Sequence, residues 1–157
     1  MLLVQPDVFA VGIDKKVFVG RSQKCQQFSC RRKMLLIDPA SCLAVAIYFE
    51  ARGERLAYQM KVGEVIMNRV DSKHYSNTIC EVIKERKQFS FLWDNIPDKI
   101  KYGPVWDKSV LAATNVLLSS KRSTKACHYA HTLITNYWTV DFVGKRFGNH
   151  IFYTGGC

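Results

Sequence analysis

The sequence predicts an α+β fold, a mainly helical body carrying a small β/loop lobe. Three observations lead there. Capped segments with helical period fill residues 38–120. The period stops at the basic turn 121–125. Beyond that turn come short runs dense in aromatics and histidine, broken by Gly144 and Gly148. At 157 residues the chain suits one main domain with a small appendage. We divide it into an N-terminal extension, 1–33, and a main domain, 34–157.

In the extension, 8–13 and 17–19 are β-prone runs around Asp14-Lys15-Lys16, which predicts a small hairpin. Residues 23–33 are polar and basic and read as a linker. Asp38-Pro39 opens the first helix, with aspartate at the N-cap and proline at the first helical position. Its expected end is Gly53, where a helix can leave through a left-handed residue. Leu43, Ile47 and Glu50 then share one face, so an acid lies among large aliphatics. Such an acid is costly unless it is paired, neutral or needed. Burial and the negative end of the helix dipole both push its pKa up. The plain alternative is a structural carboxylate satisfied by Arg52 or Arg69.

A second helix is expected over 57–70, with Tyr58, Val62, Val65, Ile66 and Arg69 as its stripe. Thr78-Ile79-Cys80-Glu81 is a capping box that starts a short helix ending near Lys87. The segment Gln88-Phe89-Ser90-Phe91-Leu92-Trp93 either fills the core or lines a cleft for a ring-shaped ligand. Pro104 opens a long helix through Trp106, Val110, Ala113 and Leu117 to about Ser120.

The net charge of +10 points to a polyanionic partner or surface. Its basic residues are scattered, with no zinc-finger or helix-turn-helix signature, so nucleic acid is not the expected partner. No apolar run approaches the ~20 residues that span a bilayer, and stable membrane association is not expected. The N-terminus shows no secretory signal, since Pro6-Asp7 interrupts a short apolar run without a basic lead. Six cysteines, at 25, 30, 42, 80, 127 and 157, allow up to three disulfides in fifteen connectivities. Cys42 and Cys80 also fit as reduced, buried thiols within helices. Cys25 and Cys30 lack a second pair, which weakens a zinc site.

Sites that bind polysaccharide stack aromatic faces on sugar rings and place an acid at the glycosidic oxygen. Phe89, Phe91, Trp93, Tyr129, Tyr137 and Trp138 can supply the rings, and Glu50 the acid. A hydrolase of the usual kind wants a second carboxylate about 5–9.5 Å away. Glu54, Asp94 and Glu64 are candidates, none convincing.

Six blocks together resemble the cell-wall hydrolase family of the spore-cortex lytic enzyme SleB. They are residues 42–54, Asn68-Arg69-Val70, 77–83 with Gln88-Phe89-Ser90-Phe91, Ala126-Cys127-His128-Tyr129, Tyr137-Trp138, and Gly148-Asn149-His150-Ile151-Phe152-Tyr153. The resemblance covers roughly 40–153 and leaves 1–33 outside. It implies a lysozyme-like fold and cleavage of the β-1,4 bond between N-acetylmuramic acid and N-acetylglucosamine. It implies Glu50 as the single acid/base of a lytic transglycosylase, which would account for the missing second carboxylate. Glu54, Gln88, Ser90, Phe91, His128, Tyr129, Tyr137 and Trp138 are carried over as substrate-binding residues. Cys127 stands where the family usually has threonine, and Ala130 separates Tyr129 from His131, which leaves His131 without an assigned role.

The compact form resembles a phage endolysin. The expectation is a monomer made in the cytoplasm, released to the wall, acting on peptidoglycan glycan strands without metal or cofactor. A water-using muramidase is the nearest alternative. An N-acetylmuramoyl-L-alanine amidase would need zinc, and His128, His131 and His150 show no paired-ligand spacing for it. A non-catalytic basic binding module is the reading from another class.

Overall fold

The computed structural model describes residues 38–85, 88–94, 99–134 and 142–157. The expected hairpin and linker, Cys25 and Cys30, and the Tyr137-Trp138 pair lie outside the described residues. Among those described, the helices are α1 (Pro39–Ala51), α2 (Leu56–Val70), α3 (Ile79–Lys84) and α4 (Pro104–Leu118). A 3-10 turn, Ser90–Leu92, precedes α4, and β1 (Ala126–His131), β2 (Val143–Phe147) and β3 (His150–Thr154) come after it. This is the α+β layout expected, and the strands form one antiparallel sheet in the order β1-β3-β2.

α1 starts as its sequence dictates. The Asp38 carboxylate accepts from the Ser41 amide at 3.0 Å, and Pro39 leads the helix. Its burial is wider than one stripe: every residue from Ser41 to Tyr48 is buried. A helix apolar on all sides belongs in the centre of a fold. α2, α3 and α4 pack around it. Gly63 of α2 permits the closest approach. A Cβ there would sit 3.0 Å from Ile47 Cδ1 and 3.2 Å from Val116 Cγ2.

The expected exit through a left-handed Gly53 does not occur. α1 ends at Ala51, Arg52 stays right-handed, and Gly53 has no positive φ. The Tyr48 and Ala51 carbonyls of the last turn accept from the backbone amides of Arg52 and Glu54, and side chains meet the carbonyls just beyond the helix. Gln59 Nε2 donates to the carbonyls of Glu54 (3.2 Å) and Arg52 (3.4 Å), and Lys108 Nζ donates to that of Glu54 at 2.9 Å. Ser109 Oγ donates to Gln59 Oε1 at 3.1 Å, completing a buried polar clamp on the α1–α2 turn.

The face of α4 is also rotated from the expected stripe. Trp106, Ser109, Ala112, Ala113 and Val116 are buried, while Leu117 is exposed. Small residues face α1 because the two helices lie close together. α3 keeps half of its capping box. Thr78 Oγ1 accepts from the Glu81 amide, but the Glu81 carboxylate turns outward to Lys84 Nζ at 3.0 Å. The helix stops at Lys84, short of Lys87, since Glu85 is already extended.

Cys42 and Cys80 are not reduced thiols: they join α1 to α3, with Cα atoms 5.4 Å apart. Cys127 and Cys157 join β1 to the C-terminal tail, with Cα atoms 5.5 Å apart. In the chain-entropy model, loops of 38 and 30 residues make each bond worth about 4 kcal/mol.

The sheet is fastened to the helices by polar groups on α2. The buried Glu64 carboxylate accepts from the amides of Ser123 and Thr124, both at 3.0 Å. Asn68 Nδ2 donates to the Ala126 carbonyl at 2.8 Å, and Arg69 Nε to that of Cys127 at 2.8 Å. Glu64 is therefore the brace that leads the chain into β1, not a second acid.

Candidate active site

A cleft of about 1010 Å³ opens between the C-terminal end of α1, the 3-10 turn and the sheet. Glu50, in the last turn of α1, lies on its wall. Tyr129 reaches it from β1, its hydroxyl donating to Glu50 Oε2 at 3.0 Å. Burial pushes the Glu50 carboxyl above the usual carboxylate range; the Tyr129 hydrogen bond and the Arg69 charge oppose that push without cancelling it. Burial and the facing Glu50 charge drive the Tyr129 phenol well above its ordinary value, so Tyr129 stays a donor. One carboxyl oxygen is thus oriented, and Oε1 has no protein donor among the described residues.

Arg69 is the fixed charge of the site. It is buried on α2, lines the cleft, and sits over the rings of Tyr75 and Phe89 at 5.4 and 5.8 Å. Its Nε is bound to the Cys127 carbonyl, while one terminal nitrogen has no hydrogen-bond partner among the described residues. The alternative in which Arg69 locks Glu50 into a structural ion pair does not describe this geometry. Arg69 acts on Glu50 through its field, and Tyr129 makes the contact.

Gln88, Ser90, His128 and Tyr129 all line the cleft, as do Trp93, Asp94, His131 and His150. Two of the residues carried over as substrate contacts do not. Phe91 is buried and stacks on Phe49 with centroids 4.8 Å apart, so its ring belongs to the core. Glu54 is buried beneath the β2–β3 turn, where Oε1 accepts from the Asn149 amide at 2.9 Å. That turn has two residues, Gly148 and Asn149, and Gly148 takes φ +60°. It brings backbone so close to Glu54 that a side chain would collide with the carboxylate. Gly148→Ala should cost roughly 2–4 kcal/mol from left-handed strain plus overpacking. A urea melt would check this, and a cost under ~0.5 kcal/mol would show that the turn yields.

His150 Nδ1 lies 3.6 Å from Glu54 Oε1. Burial lowers the His150 pKa, and the His131 charge adds to that, against the pull of Glu54. Burial thus disfavours the charged imidazole that an ion pair with Glu54 would need. Burial and the Arg69 charge likewise lower the His128 pKa. His128 Nε2 lies 3.3 Å from the Gly156 carbonyl, and its ring stacks on Phe142. Phe142, Ile134 and Gly156 are cleft residues that sequence reasoning missed. They lie in loops and the tail, where no local pattern marks a wall. Among the described residues, no three His, Cys, Asp or Glu side chains gather as a ligand set for a metal ion.

The arrangement presents a carboxyl whose pKa burial raises, at the edge of an open groove with aromatic and amide-bearing walls. The chemistry within its reach is protonation of a leaving oxygen, then abstraction of a proton. The chain is similar to several known proteins. A family model described as cell wall hydrolase matches residues 53–153. A spore cortex-lytic enzyme of Oceanobacillus iheyensis is 32% identical over 117 residues, covering 70% of this chain. The chain spans about two fifths (39%) of that relative's length. The catalytic domain of the germination-specific lytic transglycosylase SleB from Bacillus anthracis superposes with a TM-score of 0.60 at 30% identity, over 74% of this chain and 93% of the other. The catalytic domain of the Bacillus cereus SleB protein gives a TM-score of 0.60 at 31% identity, over 74% and 89%.

Proposed function

This chain belongs to the cell wall hydrolase family, and we propose that it degrades peptidoglycan as a lytic transglycosylase, cutting the β-1,4 bond between N-acetylmuramic acid and N-acetylglucosamine with Glu50 as acid and base. The observation that carries this reading is Glu50 itself: a carboxyl made weakly acidic by burial, oriented by Tyr129, on the wall of a groove large enough for sugars. The family match begins just after Glu50, so its role rests on geometry.

In the first step Glu50 gives its proton to the glycosidic oxygen. The bond from that oxygen to the muramoyl anomeric carbon breaks, and the N-acetylglucosamine 4-hydroxyl leaves. The anomeric carbon becomes oxocarbenium-like. In the second step the muramoyl 6-hydroxyl attacks that carbon and gives its proton to the Glu50 carboxylate. A 1,6-anhydro ring forms, and Glu50 is returned to its protonated state. The Tyr129 hydroxyl donates to Oε2 throughout, which leaves Oε1 to carry the proton. Arg69 stabilises the carboxylate between the two steps by its charge. Gln88 and Ser90 offer groups for N-acetyl and hydroxyl contacts. We assign the enzyme to the bacterial wall as a monomer.

Asp94 favours a second reading. It is the other carboxylate on the cleft wall among the described residues. Held at the right distance it would activate a water and make the enzyme a muramidase. Mass spectrometry of fragments released from purified sacculi separates the two. Anhydromuramoyl ends are expected, and reducing muramoyl ends would overturn the transglycosylase.

A further inference from the structure

A second groove, of about 550 Å³, lies beside the cleft and is lined by Lys73, His74, Arg122 and Lys125 together with Asp71 and Cys157. The two depressions share a wall at two places. On α2, Arg69 faces the cleft and its neighbour Asn68 faces the groove. In the tail, Gly156 lines the cleft and Cys157 the groove. The Cys127–Cys157 disulfide fixes the tail against β1, two residues before Tyr129. The cleft and the groove therefore adjoin along Asn68-Arg69 and along Gly156-Cys157.

The groove is basic and partly preset. One Arg122 nitrogen donates to Asn68 Oδ1 at 2.9 Å and to Asp71 Oδ2, so its guanidinium is held in place. Lys73 and Lys125 add two exposed cations. Against these stands Asp71, already paired with Arg122. The glycan chain of peptidoglycan, with its lactyl carboxyls tied up in amide bonds to the stems, is uncharged and gives such a groove no anion to pair with. The peptide stem, attached to the muramoyl lactyl group, carries free carboxylates. Of the parts of the substrate in the proposed function, on which this inference rests, the stem is the one that matches the charge.

We propose that the Lys73–Arg122–Lys125 groove binds carboxylates of the peptide stem borne by the muramoyl residue seated in the cleft. Charge-assisted contacts to those carboxylates would orient the muramoyl ring relative to Glu50. The groove would also favour glycan whose stems carry free carboxylates over glycan whose stems are amidated.

The test uses the full chain and the double variant Lys73→Glu/Lys125→Glu. Both side chains are exposed and outside the cleft, so folding should be unaffected. Sacculi are first freed of phosphate-bearing wall polymers by acid, and in half of them the stem carboxylates are then converted to neutral amides with a carbodiimide and ammonia. Co-sedimentation at low salt, where exposed charges are little screened, reads binding apart from catalysis. The wild type should bind sacculi with free stem carboxylates roughly tenfold more tightly than amidated sacculi, and the variant should lose that difference. Equal wild-type binding to both would overturn the assignment. So would a variant that keeps the full preference. A preference present only on sacculi that retain phosphate polymer would overturn it as well, giving the groove to that polymer. Product analysis on the same samples is separate. A binding difference without anhydro products would sink the reaction and leave the groove assigned.

Discussion

Replacing Glu50 by glutamine is expected to lower the rate of peptidoglycan solubilisation by about 10²–10⁴-fold, the usual worth of a positioned acid/base. Glutamine keeps the shape and an oxygen for the Tyr129 hydroxyl, so the loss would report the missing proton, not a collapsed site. The same substitution should leave the protein at least as stable at neutral pH. Burial holds the native Glu50 pKa above its unfolded value. Below the unfolded value both states are protonated, and the carboxyl imposes no ionisation cost. As pH rises through the native pKa, the folded wild type must hold a desolvated carboxylate, and it loses stability that glutamine does not lose. The variant's advantage in Tm should therefore open between the ordinary carboxylate range and the raised native pKa, then level off. Thermal melts at acidic and neutral pH, beside turbidity loss on sacculi, would measure both effects. A variant that clears sacculi at the wild-type rate would end the catalytic assignment. One less stable than wild type at neutral pH would mean the pocket favours the anion.

The sequence reveals the parts of this fold that neighbours in the chain decide. The Asp38-Pro39 start of α1 and the Thr78 cap of α3 involve partners three residues apart, and both appear where local chemistry puts them. A partly buried acid at Glu50 was legible from helical spacing, although α1 is buried on every side from Ser41 to Tyr48 and its spacing does not single out that face. The donor to Glu50 was not legible, because Tyr129 lies 79 residues away. The other polar supports are equally remote. Arg69 meets Cys127 across 58 residues, Glu64 meets Ser123 across 59, and Glu54 meets Asn149 across 95. Each buried polar group reads in sequence as a catalytic candidate or as a break in a stripe, and only the fold reveals its partner. Glu54 shows the consequence: a motif carboxylate next to the acid holds a hairpin, while a tail glycine with no motif around it, Gly156, walls the cleft. Cysteine pairing was illegible for the same reason, since spacing does not say which helices meet.

Arg69→Met should have two effects with different causes. The first is on stability. The Cys127 carbonyl loses a charged donor, which costs about 1.5–3 kcal/mol. The ring contacts to Tyr75 and Phe89 add roughly 0.5–1 kcal/mol. Removing a buried nitrogen that lacks a partner among the described residues recovers part of this, so a net loss of about 2 kcal/mol is expected in a urea melt. The second effect is on pH dependence. Desolvation is the largest influence on Glu50, and the Arg69 charge works against it. Without that charge the Glu50 pKa rises further. The first step requires protonated Glu50, so activity falls as pH rises through that pKa, and the alkaline limb of kcat/KM should move to higher pH. Arg69→Lys keeps a positive charge but not the fixed Nε geometry, and it should return the limb toward its wild-type position while recovering little stability. A limb that stays in place while stability drops would make Arg69 a brace for β1 alone. A limb displaced to lower pH would mean that its charge does not act on the group that gives up the proton.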